Sequence, residues 1–325
     1  MMADPSRPSA LSIPVVPNSE QFMPSDDGLH DPGSEFYFNE TYWFSFFAPE
    51  RGLGGWLYSG VRPNAGVTAG GCWIWDPSGT DPWEIPFFEQ FNWLKPPSAA
   101  DAHHVVLANG NSVTMVEAGR VYDLAFDDRD RLEVRLQFNG IERPVPLRPG
   151  TPPYPKASHF DQTGRVTGHL RLDGNRIDID CFAMRDRSWG PRRERGYQPM
   201  AYTWLADADT SLLTYSTPGS DGTDVVYAGY LRREDDVRYV ASGTRRLLRD
   251  PVKHWITEMA VDVVDDDGRP FSAQGRAVSR MILPTATSVC VNSLMEFTVD
   301  CRTVYGEDQD VWPMGAWRSM RVPSR

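Results

Sequence analysis

Short runs of alternating apolar and polar residues, separated by turn residues, recur along most of this 325-residue chain. Side chains of a strand point to opposite faces in turn, so a period of two predicts strands with one buried face. Asn-Gly and Asp-Gly pairs, which favour tight turns, separate several of these runs, at 109–110, 173–174 and 221–222. No long stretch has the apolar period of a helix, and only 243–255 is open to one short helix. The pattern therefore predicts an all-β protein.

A proline-rich segment at 140–157 divides the predicted strands into two groups of similar kind, with six prolines in eighteen positions. Proline cannot donate a ladder hydrogen bond, so such a segment is expected to be a stiff connector rather than a strand. We therefore predict an extended N-terminal segment at 1–34, a β-domain at 35–139, the connector at 140–157 and a second β-domain at 158–325. Each domain is expected to be an antiparallel β-barrel or sandwich.

Charge and composition exclude several classes of function. The net charge is −11 and no long block of Lys or Arg is present, which argues against nucleic acid or an anionic membrane as partner. No apolar run approaches the length of a membrane span, and the first residues do not have the pattern of a signal peptide. The four cysteines lack metal-ligand spacing, and no nucleotide loop or nucleophile elbow occurs. We expect a reduced, cytoplasmic protein without a cofactor or metal.

The segment from Asp173 to Gly196 combines a strand with an unusual set of side chains. Alternation over 176–182 predicts a half-buried strand, which Gly190-Pro191 would end. Before that end, charged and aromatic groups follow one another: Arg185, Asp186, Arg187, Ser188 and Trp189. Polar and aromatic groups on a short loop that a strand positions are typical of a functional site.

This part of the chain also resembles a known superfamily. The run His159-Phe160-Asp161-Gln162, then Asp173-Gly174, then Arg185 to Arg192 is similar to the lipocalin-like carotenoid hydratases of the hydroxyneurosporene synthase type. Related fungal lipocalin-like Diels–Alderases and uncharacterised bacterial proteins are included in that resemblance. It implies two calycin-type β-domains, with a cavity for a hydrophobic ligand between or within them. Members differ widely in chemistry, so the resemblance does not identify a substrate.

Two groups are candidates for the proton donor that hydration or isomerisation of a double bond needs. Asp186 is the first, with Trp189 and the aromatic residues of the N-terminal half as π faces for a carbocation. His159 is the alternative, with Gln162 as its polar partner. Relatives often have His where this chain has Arg187, and an arginine cannot be deprotonated. A proton shuttle at that position would therefore be lost, so another group must act or the activity must differ.

A structural interpretation of the same residues stands beside the catalytic one. Arg185 and Arg187 would lower the pKa of Asp186 if they pointed at it, but successive strand residues face opposite sides. In the structural interpretation, Arg185, Asp186 and Arg192 form a buried ion-pair network and Trp189 belongs to the core. Contact with a partner is a third alternative.

Further candidates come from aromatic and charged residues elsewhere. The expected substrate-binding set is Trp189, Gln162, Arg185, Arg187, Trp73, Trp75, Tyr202 and Trp204. Trp73 and Trp75 share one strand face, where they line either a core or a cavity. The cluster Arg192-Arg193-x-Arg195 either holds an anion or forms solvated surface. The acidic run 265–268 lacks the glutamate of a calcium loop, so it is expected to be a hairpin turn.

These features predict a cofactor-independent enzyme acting on a hydrophobic small molecule of isoprenoid, steroid or polyketide type. Hydration or dehydration (a lyase), isomerisation and cyclisation are the expected reaction classes. The alternative is a lipocalin-like carrier that binds such a ligand without chemistry. In an enzyme, Asp186 or His159 should reach into an apolar cavity; in a carrier, apolar groups alone should line it. A scaffold with filled cavities is a third alternative, and a homodimer is left open.

Overall fold

The computed structural model describes residues 22–98, 103–147, 158–192 and 198–321. Its first eleven strands are β1 (Phe38–Ala48), β2 (Leu53–Arg62), β3 (Val67–Trp75), β4 (Phe87–Leu94), β5 (His104–Val106), β6 (Ser112–Glu117), β7 (Val121–Asp127), β8 (Leu132–Gly140), β9 (Val145–Pro146), β10 (Ser158–Leu172) and β11 (Asn175–Pro191). Short 3-10 helices lie at Pro24–Asp27, Pro49–Arg51 and Pro63–Ala65. These strands form one antiparallel sheet in the order β4-β3-β2-β1-β11-β10-β8-β7-β6-β5, with β9 paired to β10. The sheet curves into a half-barrel.

The remaining strands form a closed barrel with neighbours in chain order, and the last strand pairs with the first. They are β12 (Met200–Ala206), β13 (Thr210–Pro218), β14 (Asp224–Arg233), β15 (Asp236–Arg249), β16 (Ile256–Asp265), β17 (Pro270–Pro284), β18 (Ser288–Val299) and β19 (Arg302–Pro313). A single α-helix, α1 (Met314–Arg321), follows β19 in the described part of the chain. No helix among the described residues has the length and apolar character to cross a membrane.

The barrel interior is filled. Side chains from all eight strands form an apolar cluster there, among them Leu205, Val261 and Phe297. On the same inner face Arg245, fully buried, donates to Asp224 at 2.5 Å and to both carboxylate oxygens of Asp308 at 2.8 and 2.7 Å. Little room for a ligand is left inside this barrel.

A second and larger core lies where the barrel's outer face packs against the first sheet. It includes Trp43, Trp56 and Trp75 from the sheet and Trp204 and Leu213 from the barrel. Indole rings meet edge to face, with centroids of Trp43 and Trp56 5.4 Å apart, an arrangement that adds to the apolar burial. The tryptophans concentrated in the N-terminal half therefore serve mainly to join the two sheets.

The predicted all-β fold is confirmed, but three local expectations were wrong. The segment 243–255 has no helix, because β15 continues to Arg249 and a turn follows. Residues 185–189 are not a loop, because partners on both sides keep β11 extended to Pro191. The connector at 140–157 does not divide the sheets, because β10 and β11 pair with β8 and β1; the change of sheet falls between 191 and 200. Residues 1–21 and 148–157 of the predicted segments lie outside the described residues.

Candidate active site

Strand β11 lies between β1 and β10, and this register sets which of its side chains meet. Asp186 is directly opposite Asp161 on β10 and opposite Trp43 on β1. Trp43 is in turn opposite Tyr58 on β2. Cross-strand partners project to the same face of a sheet, so two carboxyls and two aromatic rings form one row. That row faces the barrel, because Trp43 packs against Tyr202 with ring centroids 5.9 Å apart.

A cavity of about 300 Å³ lies over this row, between the first sheet and the outer face of the barrel. The first sheet contributes Asn39, Tyr58, Arg62 and Asp186, and Arg192 follows directly after β11. The barrel side contributes Gln198, Met200, Tyr202, Tyr215, Gln309 and Val311. The turn at 285–288, between β17 and β18, completes the wall. A cavity of this size holds a small molecule and combines apolar walls with a few polar groups, as ligand sites commonly do.

Asp186 is the carboxyl group in this cavity wall, and its surroundings favour the neutral acid. Burial raises its pKa to about 6, and the Asp161 carboxylate across the strand pair adds to the rise. His159, Arg192 and Arg187 act in the opposite direction. No described residue hydrogen-bonds to Oδ1 of Asp186. An acid with a pKa near 6 can both give up and regain a proton close to neutral pH.

Behind Asp186, a buried His159–Asp161 pair is held by two tyrosines. Nε2 of His159 lies 3.0 Å from each carboxylate oxygen of Asp161 and 2.9 Å from the Tyr215 hydroxyl. Tyr202 donates to Oδ1 of Asp161 at 2.6 Å, and Tyr215 donates to Oδ2 at 3.3 Å. Burial lowers the pKa of His159, but the Asp161 carboxylate outweighs it, so the pKa lies above its ordinary value. A cationic His159 beside Asp186 is therefore favoured.

Among the described residues, His159, Asp161 and Asp186 also lie close enough together to hold a metal ion. One ligand atom of each lies within 4.8 Å of the others. The donor set fits a hydrogen-bonded pair better than an ion. Nε2 of His159 already contacts both Asp161 oxygens and the Tyr215 hydroxyl. A metal-bound histidine instead presents a bare nitrogen to the ion and uses its other nitrogen for hydrogen bonds. We derive no metal chemistry from this cluster.

The opposite face of β11 carries the two arginines, which point away from the cavity. Arg185 donates to Asp27 at 2.8 Å and to Gln162 at 2.7 Å, and its guanidinium lies 4.1 Å from the centroid of the Tyr122 ring. Arg187 donates to Glu40 at 3.0 Å and to the backbone of Thr41 and Gly28. These buried pairs fix the N-terminal segment onto the sheet. The predicted network of Arg185, Asp186 and Arg192 is therefore wrong, because Arg185 pairs with Asp27 and the second buried pair joins Arg187 to Glu40.

The structure brings only part of the predicted substrate-binding set to the cavity. Tyr202 lines it beside Asp186, and His159 lies directly behind them. Trp189 is on the other face, stacked on His30 with ring centroids 4.1 Å apart and an interplanar angle of 7°. Gln162 is buried on that face, where Arg185 and two backbone carbonyls satisfy its amide.

Three further tryptophans of that set, Trp73, Trp75 and Trp204, are at most 2% exposed and belong to the core that joins the sheets. Arg192 reaches the cavity, whereas Arg193 and Arg195 lie outside the described residues. The acidic run at 265–268 is a hairpin turn between β16 and β17, as expected.

Sequence reasoning missed several residues of the site. Asp161 had a usable signal, because it follows His159 by two positions on a strand and so shares its face. Tyr58, Arg62 and Tyr215 had none, because only the pairing of distant strands brings them to the cavity.

Comparisons with known proteins agree with the fold. A family model described as "Domain of unknown function (DUF7064)" matches residues 23–307. A structure from Nitrosomonas europaea, described as a candidate AttH, superposes with a TM-score of 0.63 at 14% identity, covering 92% of this chain and 98% of that one. Kievitone hydratase from Nectria haematococca gives 0.55 at 10% identity, covering 92% and 97%. CghA in complex with Sch210972 gives 0.55 at 14% identity, covering 85% and 88%.

A sequence search of curated proteins finds no match to this chain. At identities of 10–14%, a structural likeness shows the fold alone. The lipocalin-like architecture implied by the resemblance to carotenoid hydratases is confirmed at that level.

Proposed function

Because this chain belongs to the family described as a domain of unknown function (DUF7064), which assigns no chemistry, we propose a function from the site itself. The chain is an enzyme that transfers a proton between Asp186 and a small, largely apolar molecule bound in the cavity between its two sheets. Hydration or dehydration of a double bond, isomerisation and cyclisation are the reactions that such a transfer supports. The expected ligand is of isoprenoid, steroid or polyketide type.

One observation carries this proposal. The Asp186 carboxyl, with a pKa of about 6, lies in the wall of a cavity, and no described residue hydrogen-bonds to its Oδ1. An ionised carboxyl in that place would be a poor acid, and one in bulk water would release its proton at much lower pH. Strongly shifted groups in clefts are commonly functional, although structural ion pairs also shift pKa values. The two arginines that flank Asp186 in the strand, Arg185 and Arg187, pair with Asp27 and Glu40 instead.

In the proposed step, the neutral Asp186 gives its proton to a carbon of a double bond or to a departing hydroxyl group. The conjugate base is then stabilised by the positive charges of His159 and Arg192, both of which lower the pKa of Asp186. Positive charge that develops on the substrate meets the electron-rich faces of Tyr58, Tyr202 and Tyr215 in the cavity wall. Loss of a proton from the next carbon, or from an added water, returns the acid to its starting state.

The Asp161 pair has a positioning role in this proposal. By accepting hydrogen bonds from Tyr202 and Tyr215 it holds both rings at the cavity wall. By keeping His159 protonated it maintains a positive charge next to the acid. The names of two proteins with this fold, a hydratase and one bound to the small molecule Sch210972, support a reaction on a small organic compound.

The test follows hydrogen exchange, which can be measured before the substrate has been identified. The full chain is incubated in heavy water with a hydrophobic extract of its own host, and deuterium uptake in each compound is followed by mass spectrometry. We expect uptake, or addition of heavy water, in one or a few compounds. Asp186→Asn should reduce the rate at least about a hundredfold, because an amide cannot act as a general acid.

Asp178→Asn is the matched control, because this carboxyl lies on the same strand with its side chain 77% exposed, and its rate should equal that of the wild type. Equal uptake by the wild type and Asp186→Asn would refute the role of Asp186. A compound that co-purifies with the protein, seen by native mass spectrometry, but takes up no deuterium would favour the carrier function instead.

A further inference from the structure

A buried amide in the cavity wall has no part in the proposed chemistry. Asn39, on β1, lines the cavity and is only 3% exposed. No described residue hydrogen-bonds to its Oδ1. A buried carbonyl oxygen without a partner costs stability, and most buried amides have partners. The buried Gln162 shows the usual case, because its amide accepts a hydrogen bond from Arg185 and donates to two backbone carbonyls.

The space next to the Asn39 amide is open because a glycine lies beside it on the neighbouring strand. A Cβ atom at Gly60 of β2 would lie 3.7 Å from Oδ1 of Asn39 and 3.3 Å from the Tyr58 hydroxyl. Tyr58 precedes Gly60 by two residues, so it shares the same face of the sheet, and it lines the cavity. The amide oxygen and the hydroxyl therefore border one small space, into which no side chain of residue 60 projects.

Strand register sets the distance between this space and the acid. Trp43 on β1 is directly opposite Asp186, and Asn39 precedes Trp43 by four residues on the same strand. An even spacing keeps both side chains on one face, and four residues of strand span about 13 Å. Asn39 and Asp186 both line the cavity, so one molecule that lies along the strand can contact the amide and the acid.

We infer that the ligand of this cavity carries a hydroxyl group, which Asn39 binds beside Gly60 while the apolar remainder of the ligand lies over Asp186. The inference rests on the proposed function in placing the substrate in this cavity, and it narrows that substrate to apolar alcohols and phenols.

The chemistry of the amide selects a hydroxyl over other polar groups. A carbonyl oxygen can only accept a hydrogen bond, so the group that meets Oδ1 of Asn39 must be a donor. A hydroxyl donates one hydrogen bond and can also accept one from the amide nitrogen. An ammonium group is a donor as well, but two arginines line the same cavity, and burying a further cation there is costly.

The test compares two isomers, 1-octanol and 1-methoxyheptane, by calorimetric titration of the full chain. The two probes have the same atoms, but only the alcohol can donate a hydrogen bond. 1-Octanol should bind about tenfold more tightly, because the ether leaves Oδ1 of Asn39 buried without a partner. Asn39→Leu, a change to an apolar side chain of similar size, should reduce this preference to within about twofold.

The stability of Asn39→Leu separates ligand binding from a structural role. Replacing a buried polar group that has no partner should leave the urea midpoint unchanged or raise it. A lower midpoint would mean that the amide holds the fold together, and it would overturn the inference. Gly60→Ala is a second variant, because its methyl group would enter the space beside Oδ1, and it should also reduce the preference for 1-octanol.

Asn92→Leu is the matched control, because this asparagine is exposed on β4 of the same sheet, and the change should not alter the affinity for either isomer. Equal affinity of the wild type for the two isomers, or no binding of either, would overturn the inference. An equal loss of affinity for both isomers in Asn39→Leu would show a packing role and would overturn it too. Asp186→Asn separates the two proposals, because it should slow turnover but keep the preference for 1-octanol.

Discussion

Glu40 is a buried carboxyl and Asp186 a half-buried one on the adjacent strand, and their pKa values are shifted in opposite directions. Burial would raise the pKa of Glu40, but the hydrogen bond with His30 and the charge of Arg187 outweigh it, so the pKa is lowered. Burial also raises the pKa of Asp186, and there the raised value, about 6, persists. The difference arises from strand parity. Glu40 shares its face with Arg187, whereas Asp186 shares its face with another carboxylate, Asp161.

One short run of sequence thus serves two purposes. On one face of β11, Arg185 pairs with Asp27 of the N-terminal segment, and Arg187 pairs with Glu40 and the Thr41 carbonyl of β1. On the other face, the Asp186 carboxyl faces the cavity, and no described residue hydrogen-bonds to its Oδ1. Paired charges stabilise the fold when their partners are in place, while the isolated acid costs stability and is available for proton transfer.

The largest effect is expected on the paired face. Arg187→Met should lower the free energy of unfolding by about 3–5 kcal/mol, because it leaves Glu40 buried without its cation. Urea denaturation measures this loss. Arg165→Met is the control, since its pair with Asp180 on the neighbouring strands is exposed, with side chains 53% and 60% accessible. That change should cost within about 1 kcal/mol. Equal losses in the two variants would refute a structural role for the Arg187 pair.

A somewhat smaller effect, of opposite sign, is expected for Asp186. Its folded pKa of about 6 exceeds the ordinary 3.8, so the folded state binds the proton more tightly than the unfolded state. This contribution is fully present below pH 4 and is lost as pH rises through 6. Asp186→Asn should therefore be more stable than the wild type by up to about 3 kcal/mol at pH 8.

The measurement is urea denaturation of both proteins from pH 4 to pH 8, and the stability difference should vanish toward pH 4. A difference that does not vary with pH would mean that Asp186 is ionised throughout this range, and the contrast with Glu40 would be lost.

The smallest effect is expected at Trp189, which stacks on His30 on the paired face. Trp189→Leu should lower the free energy of unfolding by about 1 kcal/mol, the usual contribution of an aromatic pair. The rate of deuterium uptake by the substrate, measured as described above, should not change, because this ring does not line the cavity. A slower uptake without loss of stability would instead place Trp189 at the ligand.

The sequence predicted the fold class and many strands, because alternation and turn residues are local signals. The strand predicted at 176–182 lies within β11. The end of this strand at Gly190-Pro191 was predicted correctly. Residues 185–189 were wrongly predicted to be a loop, because only the partners β1 and β10 keep them extended. The boundary between the sheets was missed for the same reason, since a proline-rich segment marks a break in regular structure but not the choice of partner strand.

The candidate site was predicted in part. Asp186 and His159 were singled out by their residue types, and the structure places them together on the same face. The partner of Arg187 is Glu40, 147 residues away, and no local pattern could identify it. The cavity lies between two sheets whose packing is a tertiary property, so Arg62 and Tyr215 could not be assigned to it from spacing. The aromatic residues of the N-terminal half were expected to face the substrate, but most of them join the sheets instead of lining the cavity.

The filled interior of the barrel has a consequence for how this molecule can diversify. The side chains packed around Arg245 stabilise the barrel, and the cavity lies outside this interior. Substitutions in the turn at 285–288 can therefore change the shape of the cavity without disturbing the packing inside the barrel. Substitutions at a few exposed positions would then be enough to change which compound the cavity binds.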